Sequence, residues 1–144
     1  MGKEGLITFE TAKLAKEKGF KYKSNLTSKI YIDTGEIFHC LEVPLRNWDN
    51  PPEEYQAPTQ EELKTWLRET HNIDVSLTCH GEVDLYVKDS PLVKTYTARV
   101  DNWNVQWSVH DGTGLVMPEH YHFESAEYEV AFEQGLEKAL TLIL

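Results

Sequence analysis

The stretch Ala57-Pro58-Thr59-Gln60-Glu61-Glu62-Leu63-Lys64-Thr65-Trp66-Leu67-Arg68-Glu69-Thr70-His71-Asn72-Ile73 holds a helix start, an amphipathic body and a stop. Thr59-x-x-Glu62 is a capping box: the Thr side chain accepts from the backbone at Glu62, and the Glu62 side chain reaches back. Leu63, Trp66, Leu67 and Thr70 recur at helical spacing and predict one buried face that includes Trp66. Asn72 can end the helix. From Ile73 the period becomes two, with Ile73, Val75, Leu77 and Cys79 alternating with Asp74, Ser76, Thr78 and His80. One apolar and one polar face is the pattern of an antiparallel sheet covered on one side.

Toward the C-terminus, Gly81 reads as a turn, and Val83, Leu85 and Val87 as the returning strand of a hairpin. Tyr96, Ala98 and Val100 suggest a third strand. Trp103, Val105, Trp107 and Val109 suggest a fourth, closed by Asp111-Gly112-Thr113-Gly114. Ser125 opens a last helix, in which Tyr128, Ala131, Phe132, Gly135, Ala139, Leu142 and Ile143 share one face at 100° per residue. Toward the N-terminus, Thr8 to Lys18 reads as a first helix, capped by Thr8 and ended by Gly19. Ile30 to Ile32 and Glu36 to Leu41 flank the hairpin punctuation Asp33-Thr34-Gly35. Residues 44–58 are Pro-rich and without period, so they read as a loop. The expected architecture is one α+β domain over residues 1–144. It has an antiparallel sheet of four to six strands with about three helices packed on one face.

The chain is acidic, with a formal net charge of -10. Residues 1–48 hold 8 Lys and Arg against 6 Asp and Glu, whereas residues 49–144 hold 6 against 18. Binding to a nucleic-acid backbone rests on Lys and Arg neutralising phosphates, so this balance argues against direct backbone binding. No secretory h-region follows Met1 and no apolar run is long enough to span a bilayer, so a cytoplasmic protein without a membrane partner is expected. Cys40 and Cys79 are too few for a disulfide framework and are expected as free thiols.

Residues 6–20 (Leu6-Ile7-Thr8-Phe9 through Lys18-Gly19-Phe20), 57–73 and 128–140 (Tyr128-Glu129-Val130-Ala131-Phe132 through Lys138-Ala139-Leu140) together resemble a family of small uncharacterised proteins of gut Bacteroidetes and their prophages and mobile elements. These blocks are the three expected helices, about a third of the chain. The resemblance implies no activity and no catalytic residues, only a phage-related cytoplasmic context. One departure is Val130, where the family pattern leads one to expect an acidic residue.

Motifs for chemistry are thin. Asp33-Thr34-Gly35 is the aspartic-protease triplet, but Glu36 follows it, and no later Gly is preceded by the apolar pair that chemistry needs. A tight hairpin requires the same residues. His39-Cys40 and Cys79-His80 cannot each point both side chains inward, because neighbours on a strand face opposite ways. His120-x-His122 can project from one side of a strand with His110 and Asp111 nearby. These are the weak metal candidates, read as exposed strand and loop histidines. No nucleophile motif and no glycine-rich phosphate loop occurs. No catalytic residue, cofactor or metal is therefore assigned.

Among the tryptophans, Trp66, Trp103 and Trp107 read as core, and Trp48 as a plug beside the Pro-rich loop. Glu129, Glu133 and Glu137 form a like-charge row at i, i+4 and i+8, next to Val130 and Leu140, and helical geometry places all five toward solvent. They are the expected partner-binding face. The sequence thus reads as a non-enzymatic protein-binding or accessory protein that meets a protein partner or a second copy. The alternatives are a small metal-dependent enzyme and an acidic DNA mimic.

Overall fold

A computed structural model describes residues 5–21, 29–32, 34–39, 53–108 and 112–143. Asp33, Cys40, Trp48, His110 and Asp111 lie outside them. The described chain contains three helices and two antiparallel sheets of three strands each.

Helix α1, Phe9–Glu17, starts where Thr8 accepts a hydrogen bond from the Thr11 backbone. It ends in a Schellman arrangement: Gly19, at φ 90°, donates to Lys16 O, and Phe20 donates to Ala15 O. The first sheet follows, with order β2-β1-β3, from β1 Lys29–Ile32, β2 Ile37–His39 and β3 Glu54–Gln56. The β1–β2 hairpin has the expected position, with Ile32 N bonded to Glu36 O and Gly35 at φ 88°. Strand β3 corrects the reading of 44–58 as loop throughout. Tyr55 faces Tyr31 across the β1–β3 pair, and Phe9 packs on both rings at 5.5 Å. Aromatic packing from a distant helix makes a strand where local periodicity is absent.

Helix α2, Gln60–His71, carries both bonds of the capping box at 3.1 Å and ends with Asn72 in the left-handed region at φ 55°. Leu63 and Leu67 are fully buried. Trp66 is only half-buried. It lies at the rim between Phe20 and His71, with ring centres 5.2 and 4.6 Å away.

The second sheet, order β4-β5-β6, holds β4 Ile73–Glu82, β5 Val93–Ser108 and β6 Val116–Ser125. Two sequence readings are corrected here. The chain does not turn at Gly81, which pairs with Lys94 inside the ladder; a Cβ there would lie 2.7 Å from Leu92 Cδ1. The turn is built further on by Asp84 and Ser90: Asp84 Oδ1 accepts from Tyr86 N, and Ser90 Oγ accepts from Asp84 N, both at 2.9 Å. This local side-chain chemistry overrides the alternation of Val83, Leu85 and Val87, which form no strand. The expected third and fourth strands are one strand, β5. Its register to β6 shifts between Asn102, opposite Glu119, and Gln106, opposite Pro118. Asn102 Oδ1 holds the bulge by accepting from Asn104 N at 3.1 Å.

Helix α3, Tyr128–Thr141, begins after Ser125 rather than at it: Ser125 ends β6, and its Oγ accepts from Glu127 N. The helix packs on β4, β5 and β6 and also against α1 and α2. Gly135 makes the closest approach to the sheet, where a Cβ would sit 3.0 Å from Ala98 Cβ and 3.1 Å from Val75 Cγ1. The three helices are thus in contact with one another through α3, and α3 covers one face of the second sheet. The expectation of one sheet of four to six strands is replaced by two smaller ones. No helix among the described residues is long and apolar enough to cross a membrane.

Candidate functional site

The expected partner-binding face is where sequence and structure differ most. Glu133 is only 6% exposed and Leu140 is fully buried, so neither faces solvent. Glu129 and Val130 are half-buried, as is Glu137. The physical reason is that α3 is covered on two sides. A single apolar stripe describes the side against the sheet; α1 and α2 cover the side that carries Glu133.

That carboxylate organises the helical layer. Its Oε2 accepts from Thr8 N at 3.1 Å and from Thr8 Oγ1 at 3.2 Å. Its Oε1 accepts from Gln60 Nε2 at 3.1 Å. Thr8 caps α1 and Gln60 is the first residue of α2, so two helix N-termini meet one buried negative charge. Thr11 Oγ1 lies 3.0 Å from Glu137 Oε1 and 3.0 Å from Thr8 Oγ1. Each hydroxyl has one proton. If Thr8 donates to Glu133 and Thr11 to Glu137, the Thr8–Thr11 contact is left without a hydrogen. Burial, with a smaller effect from Glu133, pushes the Tyr31 hydroxyl above its ordinary value of 10.0, and that hydroxyl donates to Ile7 O at 2.7 Å. Every buried side-chain polar atom of this cluster has a partner within the protein. The row is a structural clamp, and its carboxylates at 133 and 137 form no outward array of the kind a DNA mimic would present.

The metal candidates divide. His120 and His122 are exposed on β6, and their ring centres lie 5.4 Å apart. His110 is outside the described residues. Among the described residues no group of three or more His, Cys, Asp and Glu is placed to hold a metal. Cys79 is an exposed free thiol on β4 of the second sheet, whereas His39 belongs to β2 of the first, so His39 and Cys79 sit on different sheets.

What sequence reasoning missed is the exposed apolar surface. Six large apolar side chains cluster where β4 turns into β5: Val83, Leu85, Tyr86, Val87, Leu92 and Val93. Five more lie at the opposite end of the sheet: Val105, Trp107, Leu115, Val116 and Met117. Among the described residues, Ile37 and Tyr128 are the exposed large apolar residues elsewhere. Trp107 was expected in the core and is 64% exposed; Val105 is exposed and Trp103 half-buried. Their displacement follows from the bulge. Pairing between β4 and β5 stops at Ile73 and Asn102, so beyond the bulge β5 and β6 run on as a two-stranded arm. On that arm Trp107 is paired directly with Met117. The signal available in the sequence was Asn102-Trp103-Asn104, two turn-forming residues inside an aromatic-rich strand.

No family model matches the chain, and no curated protein or solved structure matches it.

Proposed function

We propose that this chain is a non-enzymatic protein-binding domain, an accessory protein of phage or mobile-element type, and that it meets its partner through the β5–β6 arm. The observation that carries the reading is Trp107, exposed beside Met117 on a two-stranded extension that neither α3 nor β4 covers. Two-stranded ribbons are marginal in water without a third strand or a packed face. Trp and Met are enriched where proteins meet, and Trp is among the residues enriched at energetic hot spots. A contact that covered Trp107 and Met117 would supply what the arm lacks. The apolar turn around Leu85 and Tyr86, 89% and 99% exposed, is a second contact point at the other end of the same sheet. The net charge of -10 favours encounter with a basic partner.

A photo-crosslinking residue placed at 107, at 86 and, as control, at Thr78 on the polar sheet face tests the reading in the native host. Adducts at 107 that are absent at 78 support it. Equal yields at 78 and 107, or none at 107, would remove it. Sedimentation of the purified chain at high concentration distinguishes a second copy from a different protein as the partner.

A further inference from the structure

Between Asp74 and His80 the outer face of the second sheet is polar, and β6 brings two imidazoles together there. Across the strands, Asp74, Asp101 and His120 form one row, and Ser76, Arg99 and His122 the next. Residues two apart on a strand project from the same face, which is why His120 and His122 approach each other. Their ring centres are 5.4 Å apart and their planes are inclined by 72°. With metal–nitrogen bonds of about 2.0–2.1 Å, two imidazoles on one tetrahedral ion have ring centres roughly 5 Å apart. The pair therefore stands close to chelating separation.

A second observation concerns orientation. His120 Nδ1 lies 3.3 Å from the carbonyl oxygen of Pro118. A carbonyl can only accept, so Nδ1 carries the proton in that contact and Nε2 presents its lone pair. Metal-binding histidines commonly have their other ring nitrogen held this way, which fixes the tautomer and strengthens the ligand. Pro118 is itself buried, so the anchoring carbonyl belongs to a packed position. The charges around the pair are compatible with a dication. Arg99, opposite His122, is bound through Nε to Asp101 Oδ1 at 2.8 Å, and Glu124 lies one row away on the same face.

From this geometry we propose that His120 and His122 form a two-imidazole chelate for a divalent first-row transition ion. Asp101 is engaged by Arg99, so water completes the coordination. Imidazole ligands suit nickel, copper and zinc over magnesium or calcium. The site is open and two-ligand, which suits reversible loading from solution rather than a structural metal.

The test uses the full chain without a His tag and nickel(II) as the probe, since nickel(II) does not oxidise the Cys79 thiol. Titration by calorimetry should give one saturable site per chain. Each of His120→Asn and His122→Asn should weaken it by about tenfold or more, the range lost when a metal-site residue is disturbed. His80→Asn, on the same exposed face, should leave it unchanged. In NMR spectra, nickel should broaden the ring signals of His120 and His122 before those of His80. Both histidines are exposed, so their replacement should leave the fold intact, with far-UV circular dichroism as the check. Non-saturable binding, or equal losses in His80→Asn and the two site variants, would overturn the proposal.

Discussion

Glu133 shows how one carboxylate can hold three helices. Its partners come from α1 and α2, and a substitution strands their donors. Each buried donor left without a partner costs about 1–3 kcal/mol. Glu133→Ala should therefore lower the chemical-denaturation midpoint far more than Glu129→Ala. An equal effect would show that the clamp contributes nothing. Gly135 is a second residue whose role can be measured. A methyl there must push against Ala98 and Val75, and overpacking of this kind costs about 1–3 kcal/mol. Gly135→Ala gains helix propensity of roughly 1 kcal/mol, so the net loss should be smaller than for Gly135→Val. A more stable Gly135→Val would mean that α3 sits further from the sheet than described. His71 makes stability depend on pH. Burial holds its imidazole below the ordinary 6.5, and its Nε2 is buried without a partner. Below about pH 6.5 the unfolded chain takes up a proton that the folded one resists, so stability falls as pH drops through that value. The fall between pH 7 and 5 should be shallower in His71→Gln than in the wild type, read from urea midpoints at each pH.

Helix α2 depends on both kinds of information in the chain, local and remote. Thr59→Ala should cost about 0.5–2 kcal/mol by removing one arm of the capping box. Trp66→Ala should cost less than the roughly 3–5 kcal/mol of a fully buried aromatic, because one side of the ring is in water. Thermal or urea unfolding of the two variants checks both values; an unchanged midpoint for Thr59→Ala would leave the cap without energetic weight. The caps of α1 and α2 were legible because capping is a matter of three or four neighbouring residues. Strand β6 was not, since Met117, Glu119, Tyr121 and Phe123 share a face on which an acidic residue interrupts the apolar alternation. The true turn after β4 was hidden for the opposite reason, an apolar alternation that Asp84 and Ser90 overrule. The second buried side of α3 could not be read at all. What covers it is α1, more than a hundred residues away, together with α2, and no local period records that. Glu133 and Leu140 of the expected binding row are therefore interior, and Trp103 and Trp107 read as core because the sequence does not show where β4 stops.

In the whole molecule the helical layer and the polar sheet face are separate devices: one is closed on itself, the other is open to water. Disturbing Glu133 should change stability, while disturbing His122 should change only what the sheet face binds. The clamp has a further consequence, for synthesis. Its Thr8–Glu133 bonds join residues 125 apart, among the longest sequence separations in the fold. During translation at about 5–20 residues per second, β4 to β6 leave the ribosome before the helix that covers them. Until residues 128–141 follow, Val75, Ala98 and Val100 lack the cover of α3, and the amide of Thr8, the cap of α1, has no Glu133 to bond. The nascent chain must pass through an interval in which the apolar face of its second sheet is bare, and its dependence on holding chaperones should be concentrated in that interval.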